Sequence, residues 1–537
     1  MEEAQPWRSI YDEYGVDPEL PDHDHPVHRL LEETAEQHPD AGVVERSDET
    51  SYPELEGRAR ALAAGLQSHG VEPGDHVATV YPTSTEFLVA AHAVSMAGAV
   101  NVPVPVLESD EDVVANLERV EPVAVLGGES YSEAARRYHD ETTSNLLVTS
   151  GEHGEDTADL GDAEDHRSVD VDPTEDLYAV TFTGGTSGRP KGCMITHSNV
   201  VANVRQVEAS MSRAATVMRG NSEAVVALPL YHAYGHLLSQ MFLGMGVTQL
   251  LVTDPRDYDE IERLVDEHDP VTMLGVPTQF HEMKDRDLGL LGISGSAPLK
   301  SEVKEEFSGS GGGVSQGYGL SEMSPVTHFD VEGMVEGISG VSRRETEFDV
   351  QTIGVPVPET RVALLDPETE ERVPVETAVE DEVAAEMLVD GPQRMKGYVD
   401  GGDEFHDGYV RTGDVVRIDE RGRFYVVDRV KDMINVSGLK VYSEEVEEEL
   451  ERHPAVERAA VVGVPDPDRP GSERVAAYVE STGAIDEEDV RDHLDGRVAR
   501  QARPREVEFV DELPTTHIGK IDKEALKSRS TETSQEA

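Results

Sequence analysis

Cysteine is nearly absent from this chain: one residue, Cys193, in 537. A single thiol excludes an internal disulfide and any cysteine-cluster metal site. Positive charge is the next shortage. Lysine and arginine number 46 against 109 aspartates and glutamates, a formal net of −63. Binding nucleic acid needs a basic stripe, and adsorbing to an anionic membrane needs a basic patch, so both kinds of partner are excluded. Lysine itself is scarcer still: there are ten, and arginine carries most of the positive charge. Tryptophan occurs once, as Trp7.

Long uninterrupted apolar runs are also missing. The N-terminus, MEEAQPWRSI, has no apolar core, so no secretory signal is expected and the chain is placed in the cytoplasm. Two stretches, 87–107 and 224–253, are long enough to span a bilayer but contain prolines, histidines and polar residues. They read as buried helix-plus-strand units. Hydrophobic residues reach 37%, enough for real cores. The acid is spread along the chain, in runs such as DEDV and EEVEEELE. That spread is similar to proteins of salt-loving organisms, in which concentrated salt screens self-repulsion.

Strand and helix patterns alternate through the first 350 residues, which implies an α/β fold with parallel sheets. HVATVY, AVNVPV, VAVLGG (123–128), NLLVTS (145–150), LYAVTFT (177–183), VTMLGVP (271–277), LGLLGISG (288–295) and GGVSQGYG (312–319) read as strands. Residues 28–70 read as helical, and 151–176 as a solvated acidic loop. After about 350 short alternating strands such as TRVALLD and GRFYVVDR take over, and from about 430 a last segment carries its own βα units. The expectation is a large N-terminal domain of several parts, with mixed and parallel sheets, over 1–428. A small, mobile α+β domain follows over 429–537. KSRSTETSQEA at the C-terminus reads as a frayed tail.

Five short segments carry chemistry. TFTGGTSGRPKG (181–192) follows a strand, and glycines let backbone N–H groups approach an anion while Lys191 adds a point charge. It is not the G-x-x-x-x-G-K-[ST] loop, because Pro190 and Gly192 stand where that pattern needs Gly and Ser or Thr. QGYGLSEMSP (316–325) offers Tyr318 for stacking on a purine and Glu322 for a magnesium ion. GYVRTGD (408–414) places Asp414 on a turn, able to accept from ribose hydroxyls. DRVKDMINVSGLKVYSEEVE (428–447) sets Arg429 and Lys431 at the inferred boundary, and LPTTHIGKIDK (513–523) presents Lys520 on a turn. Five of the ten lysines, Lys191, Lys431, Lys440, Lys520 and Lys523, fall in these segments.

In order and spacing the five segments resemble the motifs of acyl- and aryl-CoA synthetases, within the adenylate-forming superfamily. The T-[SG]-G-[ST]-T-G-x-P-K-G pattern corresponds to Thr183–Gly192, with Gly184 for the usual Ser. Ser321 replaces the commoner Thr before Glu322, and Val410 replaces an aromatic before the R-T-G-D run. The resemblance implies AMP-forming ligation: a carboxylate attacks the α-phosphate of ATP, pyrophosphate leaves, and the CoA thiol then takes the acyl group. It implies that Thr183, Gly184, Gly185, Thr186, Ser187, Gly188 and Lys191 close over the phosphates. Val276, Thr278, Ser294, Gly295, Ser296 and Ala297 line the acyl and adenine pockets, Gln316, Gly317, Tyr318 and Ser321 lie around the nucleotide, and Asp414 and Arg429 hold the ribose. Glu322 would bind Mg²⁺, His232 of the P-L-x-H motif would wall the acyl pocket, and Lys520 would serve adenylation. Lys431 matches the hinge; Gly438 and Lys440 belong to the face that approaches for thioester formation.

Several features read more plainly. His23, His25 and His28 in HDHPVH read as a solvated segment, and Glu444, Glu445 and Glu447–Glu449 as a solvated helix face. His232 and His236 lack an acidic partner for a metal pair, and Cys193 reads as a packed residue. By the resemblance, short-chain enzymes close the pocket with a tryptophan after the motif tyrosine. Gly319 stands there, which favours a medium- or long-chain acid, or alternatively an aryl acid. No acidic residue occurs in Leu230–His236 to hold an ammonium, which counts against an amino-acid substrate. CoA is the expected acceptor, since no carrier domain follows Lys520; a ligase loading a separate carrier protein is the variant reading. A non-catalytic nucleotide or CoA sensor is the rival class, opposed by intact Lys191, Glu322, Asp414, Arg429 and Lys520. Oligomeric state has no signature in the sequence.

The charge yields a direct expectation. Lowering KCl from multimolar to about 0.1 M stretches the screening length from about 3 Å to about 10 Å. The melting temperature, followed by circular dichroism, should fall steeply over that range; a melt that does not depend on salt would remove the halophilic reading.

Overall fold

The computed structural model describes residues 5–106, 110–128, 146–150, 163–183, 191–286, 288–297, 299, 303–304, 307, 313–339, 352–402, 405–467, 469, 472–483, 485–515 and 521–536. The segment behind the first PGD turn shows how its sheets are built. The β-rich run His76–Val80 is followed by the helix Thr85–Met96, whose N-cap Ser84 accepts from the Phe87 amide at 3.2 Å. Val100–Pro103 then returns to lie parallel beside His76–Val80. Repetition of this unit makes a seven-stranded sheet in which Leu177–Phe182, Val100–Pro103, His76–Val80, Ala124–Gly128 and Leu146–Ser150 run parallel. Gly192–Thr196 and Gly397–Tyr398 add antiparallel at its edge.

A second sheet of nine strands repeats the plan. Its parallel centre runs from Gly42–Glu45 through Thr248–Leu251, Glu223–Val226, Thr272–Gly275 and Leu291–Ser294 to Gly313–Gly319. Helices His28–Gln37, Tyr52–Ser68, Thr85–Met96, His197–Met211 and Ala233–Gly244 share one core with residues of both sheets. A smaller antiparallel sheet is built around Tyr409–Ile418, flanked by Ala385–Asp390 and Phe424–Arg429. The last part of the chain has its own core, from Ile434 to Val507, over the three strands Val456–Pro465, Glu473–Ser481 and Glu506–Val510. This is the expected α/β architecture. Among the described residues no helix is long and apolar enough to cross a membrane.

Three expectations are corrected. The 28–70 stretch is not one helical run. Helix His28–Gln37 stops before Pro39, and Gly42–Glu45 and Asp48–Ser51 form a hairpin before the helix Tyr52–Ser68 begins. Gly42 permits that hairpin, since a Cβ there would stand 2.2 Å from the Thr50 carbonyl oxygen. The C-terminal tail is a helix, Lys523–Glu536, docked through Leu526, which is 1% exposed among Ala460, Val462 and Tyr478. HDHPVH is not a solvated segment: His25 is buried, and the His28 ring meets Ser95 Oγ at 2.9 Å. Of the acidic loop, 151–162 lies outside the described residues, and Ala163–Asp165 forms a short helical turn.

Buried imidazoles set the acid limit of this core. Burial lowers His28 and His236 to about 4, and His92, His197 and His328 to about 3. These values lie below the unfolded value near ~6.5, so the folded state favours the neutral ring. Their stabilisation is therefore complete above about pH 6.5 and lost as pH falls, by about 1.4 kcal/mol per pH unit for each fully buried ring. His92→Leu should shallow the decline in melting temperature between about pH 6.5 and 5; an unchanged slope would show that His92 charges without cost.

Candidate active site

The strand Gly313–Gly319 ends at the centre of the site, and its last residues are shaped by close backbone approach. A Cβ on Gly319 would stand 1.9 Å from the Pro325 carbonyl oxygen. Glycine is thus demanded by the hairpin in this arrangement. Tyr318 packs edge-on against His328, with centroids 5.8 Å apart, and its hydroxyl donates to Asp414 Oδ2 at 2.6 Å. Burial, and then the Asp414 carboxylate, push the phenol well up, so it remains a donor. Asp414 Oδ1 accepts from Arg429 Nε at 2.9 Å. Asp414 and Arg429 face each other because Tyr409–Ile418 and Phe424–Arg429 pair antiparallel in that register. Tyr318 and a strand pair that follows it 96 residues later therefore meet on one carboxylate.

The glycine loop is bounded by a hydrogen-bonded neck. The Thr183 amide donates to the Lys191 carbonyl at 2.9 Å, and the Lys191 amide donates to Thr183 Oγ1 at 3.2 Å. Gly184, Gly185, Thr186, Ser187 and Gly188 lie outside the described residues. Lys191 Nζ sits over the Tyr398 ring, 4.7 Å from its centroid, and Tyr398 donates its hydroxyl to Glu322 Oε1 at 2.6 Å. Tyr398 was not foreseen. It arrives through the two-residue strand Gly397–Tyr398, which pairs with Cys193 and Met194. Its one signal in the sequence is the neighbouring Lys396, another of the ten lysines. Cys193 is fully buried, and burial pushes its thiol up, as a packed residue requires.

His232 caps the helix Ala233–Gly244 at the end of a loop held by Thr83. The Thr83 hydroxyl donates to the Leu228 carbonyl at 2.7 Å and accepts from the Leu230 amide at 3.1 Å. Gly235 lets the first helical turn close on Pro229, whose carbonyl oxygen would stand 2.4 Å from a Cβ. His232 is exposed to solvent, and the protein packed about its ring lowers it to about 4. Tyr234 lies against Gly295, where a Cβ would come within 2.5 Å of its ring. Ser296 has φ +69°, and Gln316 is buried with Oε1 unpartnered. Gly317 lies in the strand Gly313–Gly319, Ser321 opens the turn Ser321–Met323 behind it, and Ala297 lies in the loop after Leu291–Ser294. Among the described residues no three histidine, cysteine or acidic side chains are grouped to hold a metal.

Lys520 also lies outside the described residues, but both ends of its loop are placed. Thr515 bridges Ile521, and the Asp522 amide donates to the Pro514 carbonyl at 2.8 Å. Gly438 stands apart from the site on the hairpin Ile434–Val436/Leu439–Val441, with φ +83° after Ser437 at +55°, the backbone a two-residue turn requires. Lys440 is 3.9 Å from Asp366 rather than near Tyr318 or Glu322. The carbonyl of Lys431 accepts from Lys527 Nζ at 3.3 Å. Asp428, just before it, accepts from the Ser443 amide at 2.5 Å and from Ser443 Oγ at 3.0 Å. Lys523 Nζ donates to Ser443 Oγ and meets Glu447 Oε1, both at 2.8 Å. The acidic face of the helix Ser443–Glu451 is therefore not solvated, as expected from sequence, but forms this junction. Glu445 pairs with Arg417 at 2.7 Å, and Glu449 is buried against Arg452 and Arg497.

Comparison with known proteins agrees with this geometry. The AMP-binding enzyme family model matches residues 31–399, and the AMP-binding enzyme C-terminal domain matches 445–520. The chain belongs to the AMP-binding enzyme family. It is 29% identical to a long-chain-fatty-acid–CoA ligase of Bacillus subtilis over 99% of both chains. It is 33% identical to a feruloyl-CoA synthase of Amycolatopsis sp, covering 89% of this chain and 94% of that one. Its fold superposes on ATP-bound MatB from Rhodopseudomonas palustris with a TM-score of 0.80 at 27% identity, covering 94% of this chain and 99% of that one. Members of this adenylate-forming family are ligases that use ATP, with acyl-CoA ligases among them, and the activity of this AMP-binding enzyme is of that class.

The junction titrates in an accessible range. Burial raises Asp428 to about 6, Glu447 to about 7 and Glu444 to about 8, the last with Asp428 as the next cause. Folded values above the unfolded ones mean that the protonated forms are favoured in the folded enzyme. The stability they lend is whole below about pH 4 and is lost as pH rises through about 6 to 8. Glu444→Gln should therefore flatten the fall of melting temperature between pH 6 and 8.5 in concentrated salt; a slope identical to the parent's would remove Glu444 from the account.

Proposed function

We propose that this enzyme joins a carboxylic acid to CoA through an acyl-adenylate, releasing AMP and pyrophosphate. What carries the reading is the convergence of separate motifs on two linked clusters, Tyr318–Asp414–Arg429 and Lys191–Tyr398–Glu322. Tyr318 supplies a face for adenine, and Asp414 and Arg429 the polar groups for ribose. The loop from Thr183 to Lys191 takes the phosphates, with Gly295, Ser296, Ala297, Gln316, Gly317 and Ser321 around the nucleotide. The attacking carboxylate is already ionised, so the first step needs no general base. It needs positive charge where charge gathers, on the α-phosphate oxygens and the departing pyrophosphate. Lys191 and Lys520 supply it.

Glu322 fits a magnesium ion. It is one carboxylate, partly engaged by Tyr398, with no further metal-ligating cluster among the described residues, and magnesium is commonly held by one or two carboxylates plus phosphates. When bound, the ion neutralises phosphate charge. The division at 428/429 makes Lys431 the hinge about which the C-terminal domain presents first Lys520, then Gly438 and Lys440. His232 walls the acyl pocket. The setting proposed is the cytoplasm of a salt-adapted organism.

For the acid, medium or long fatty chains are the first reading, supported by the names of the long-chain-fatty-acid–CoA ligase relatives. An aryl acid is the second, supported by the similarity to feruloyl-CoA synthase. The test is AMP release from MgATP in multimolar KCl, with and without CoA, across acetate, laurate, palmitate, benzoate and cinnamate. AMP should rise with CoA for one part of that panel. Lys191→Ala and Glu322→Gln should each cut the rate by roughly 10²–10³. CoA-independent turnover with a carrier protein would replace CoA as acceptor, and nucleotide binding without AMP would favour the sensor.

A further inference from the structure

Unpartnered polar atoms gather on one side of the helix Ala233–Gly244. Buried in the described structure without a hydrogen-bond partner are His236 Nδ1, both amide atoms of Gln240, both ring nitrogens of His92, Thr181 Oγ1 and Ser324 Oγ. Orphaned groups of this kind normally meet water or ligand, and a plain hydrocarbon tail packed on them would leave them unsatisfied. A cavity of about 20 Å³ lies where Thr181, His236 and Ser324 meet, and the rest of its wall is mostly aliphatic, with Ile195, Val200 and Leu237. That volume admits about one water-sized group. His236 is fixed there: its Nε2 is 2.6 Å from the Tyr178 hydroxyl, and the two rings stack with centroids 5.6 Å apart. The cavity sits between the helix turn that begins at His232 and the turn Ser321–Met323 that carries Glu322.

We propose that this cavity is the far subsite of the acyl pocket and takes one neutral oxygen, a hydroxyl or carbonyl, carried by the acid several bonds from its carboxylate. The proposal rests on the ligase reading above. Among the described residues no lysine or arginine lines the cavity, so a second carboxylate would be buried there without a counter-charge. Thr181 and Ser324 can each donate or accept, and His236 Nδ1 faces an incoming oxygen once its Nε2 is engaged by Tyr178. The oxygen comes either from an aliphatic hydroxy acid or from a hydroxylated aryl acid.

The test compares matched pairs in concentrated KCl with MgATP and CoA: dodecanoate against ω-hydroxydodecanoate, and cinnamate against para-hydroxycinnamate. The quantity read is the ratio of kcat/KM for AMP release within each pair. At least one pair should favour the hydroxylated acid by about tenfold or more, since a site that hydrogen-bonds a hydroxyl discriminates against its absence. The favoured pair identifies the source. Thr181→Val and His236→Leu should each bring the ratio to within about twofold. Thr181 has no partner to lose, so its variant should fold even if the histidine variant does not. Equal or better use of the plain acid in both pairs, or a ratio unmoved by Thr181→Val, overturns the subsite and leaves the ligase standing. No AMP from any acid, with folded protein that binds ATP, overturns the ligase reading and this one with it.

Discussion

The Asp414 carboxylate is the contact on which the site depends. One oxygen accepts from Tyr318 and the other from Arg429. These partners end a strand of the nine-stranded sheet and a strand of the smaller antiparallel sheet. A carboxylate between a phenol and a guanidinium has definite direction on both sides, unlike an apolar contact, which can slide. The separation between the two sheets is thereby set at the place where a nucleotide would bridge them. Thr412 steadies the turn beneath, its hydroxyl donating to the Met387 carbonyl at 2.7 Å and accepting from the Asp414 amide at 3.1 Å.

The strands of both large sheets were legible because buried parallel strands read as short β-branched runs between turn residues, as in His76–Val80 and Leu177–Phe182. The motif residues were legible for another reason: the scarcity of lysine leaves Lys191 conspicuous beside a glycine run. Tyr398 was not legible, because its place depends on pairing with Cys193 and Met194 some two hundred residues earlier, which no local pattern encodes. The acidic helix Ser443–Glu451 misled because a charged face looks the same whether it meets water or an arginine of another domain. The C-terminal helix turns on one buried residue, Leu526, in a stretch otherwise polar. Gly319 is subtler: the contact that demands it is with a carbonyl oxygen across a hairpin.

Charge presents this chain with a conflict, since a protein of formal net −63 must accept a polyanion. Long-range steering works against it, and concentrated salt removes most of that field. What remains is local. Lys191 is held over the Tyr398 ring, an arrangement that orients an ammonium without consuming its charge in an ion pair. Glu322 accepts from the hydroxyl of the same tyrosine. In the proposed reaction the tyrosine would thus hold both groups in place, Lys191 for phosphate and Glu322 for the metal.

The same distinction between screened and unscreened contacts bears on the hinge. Arg417–Glu445 and Lys440–Asp366 join the two parts of the chain through partly exposed groups, which concentrated salt weakens. Asp428–Ser443 is buried, and salt leaves hydrogen bonds there largely untouched. Any rotation about Lys431 must break the Asp428–Ser443 bonds, because Asp428 and Ser443 lie on opposite sides of it. Their replacement by water, and protonation of neighbouring Glu444 and Glu447, would decide how readily the C-terminal domain leaves this arrangement. If the C-terminal part turns about Lys431 as proposed, concentrated salt would leave these buried hydrogen bonds, rather than the partly exposed ion pairs, to hold it in this arrangement.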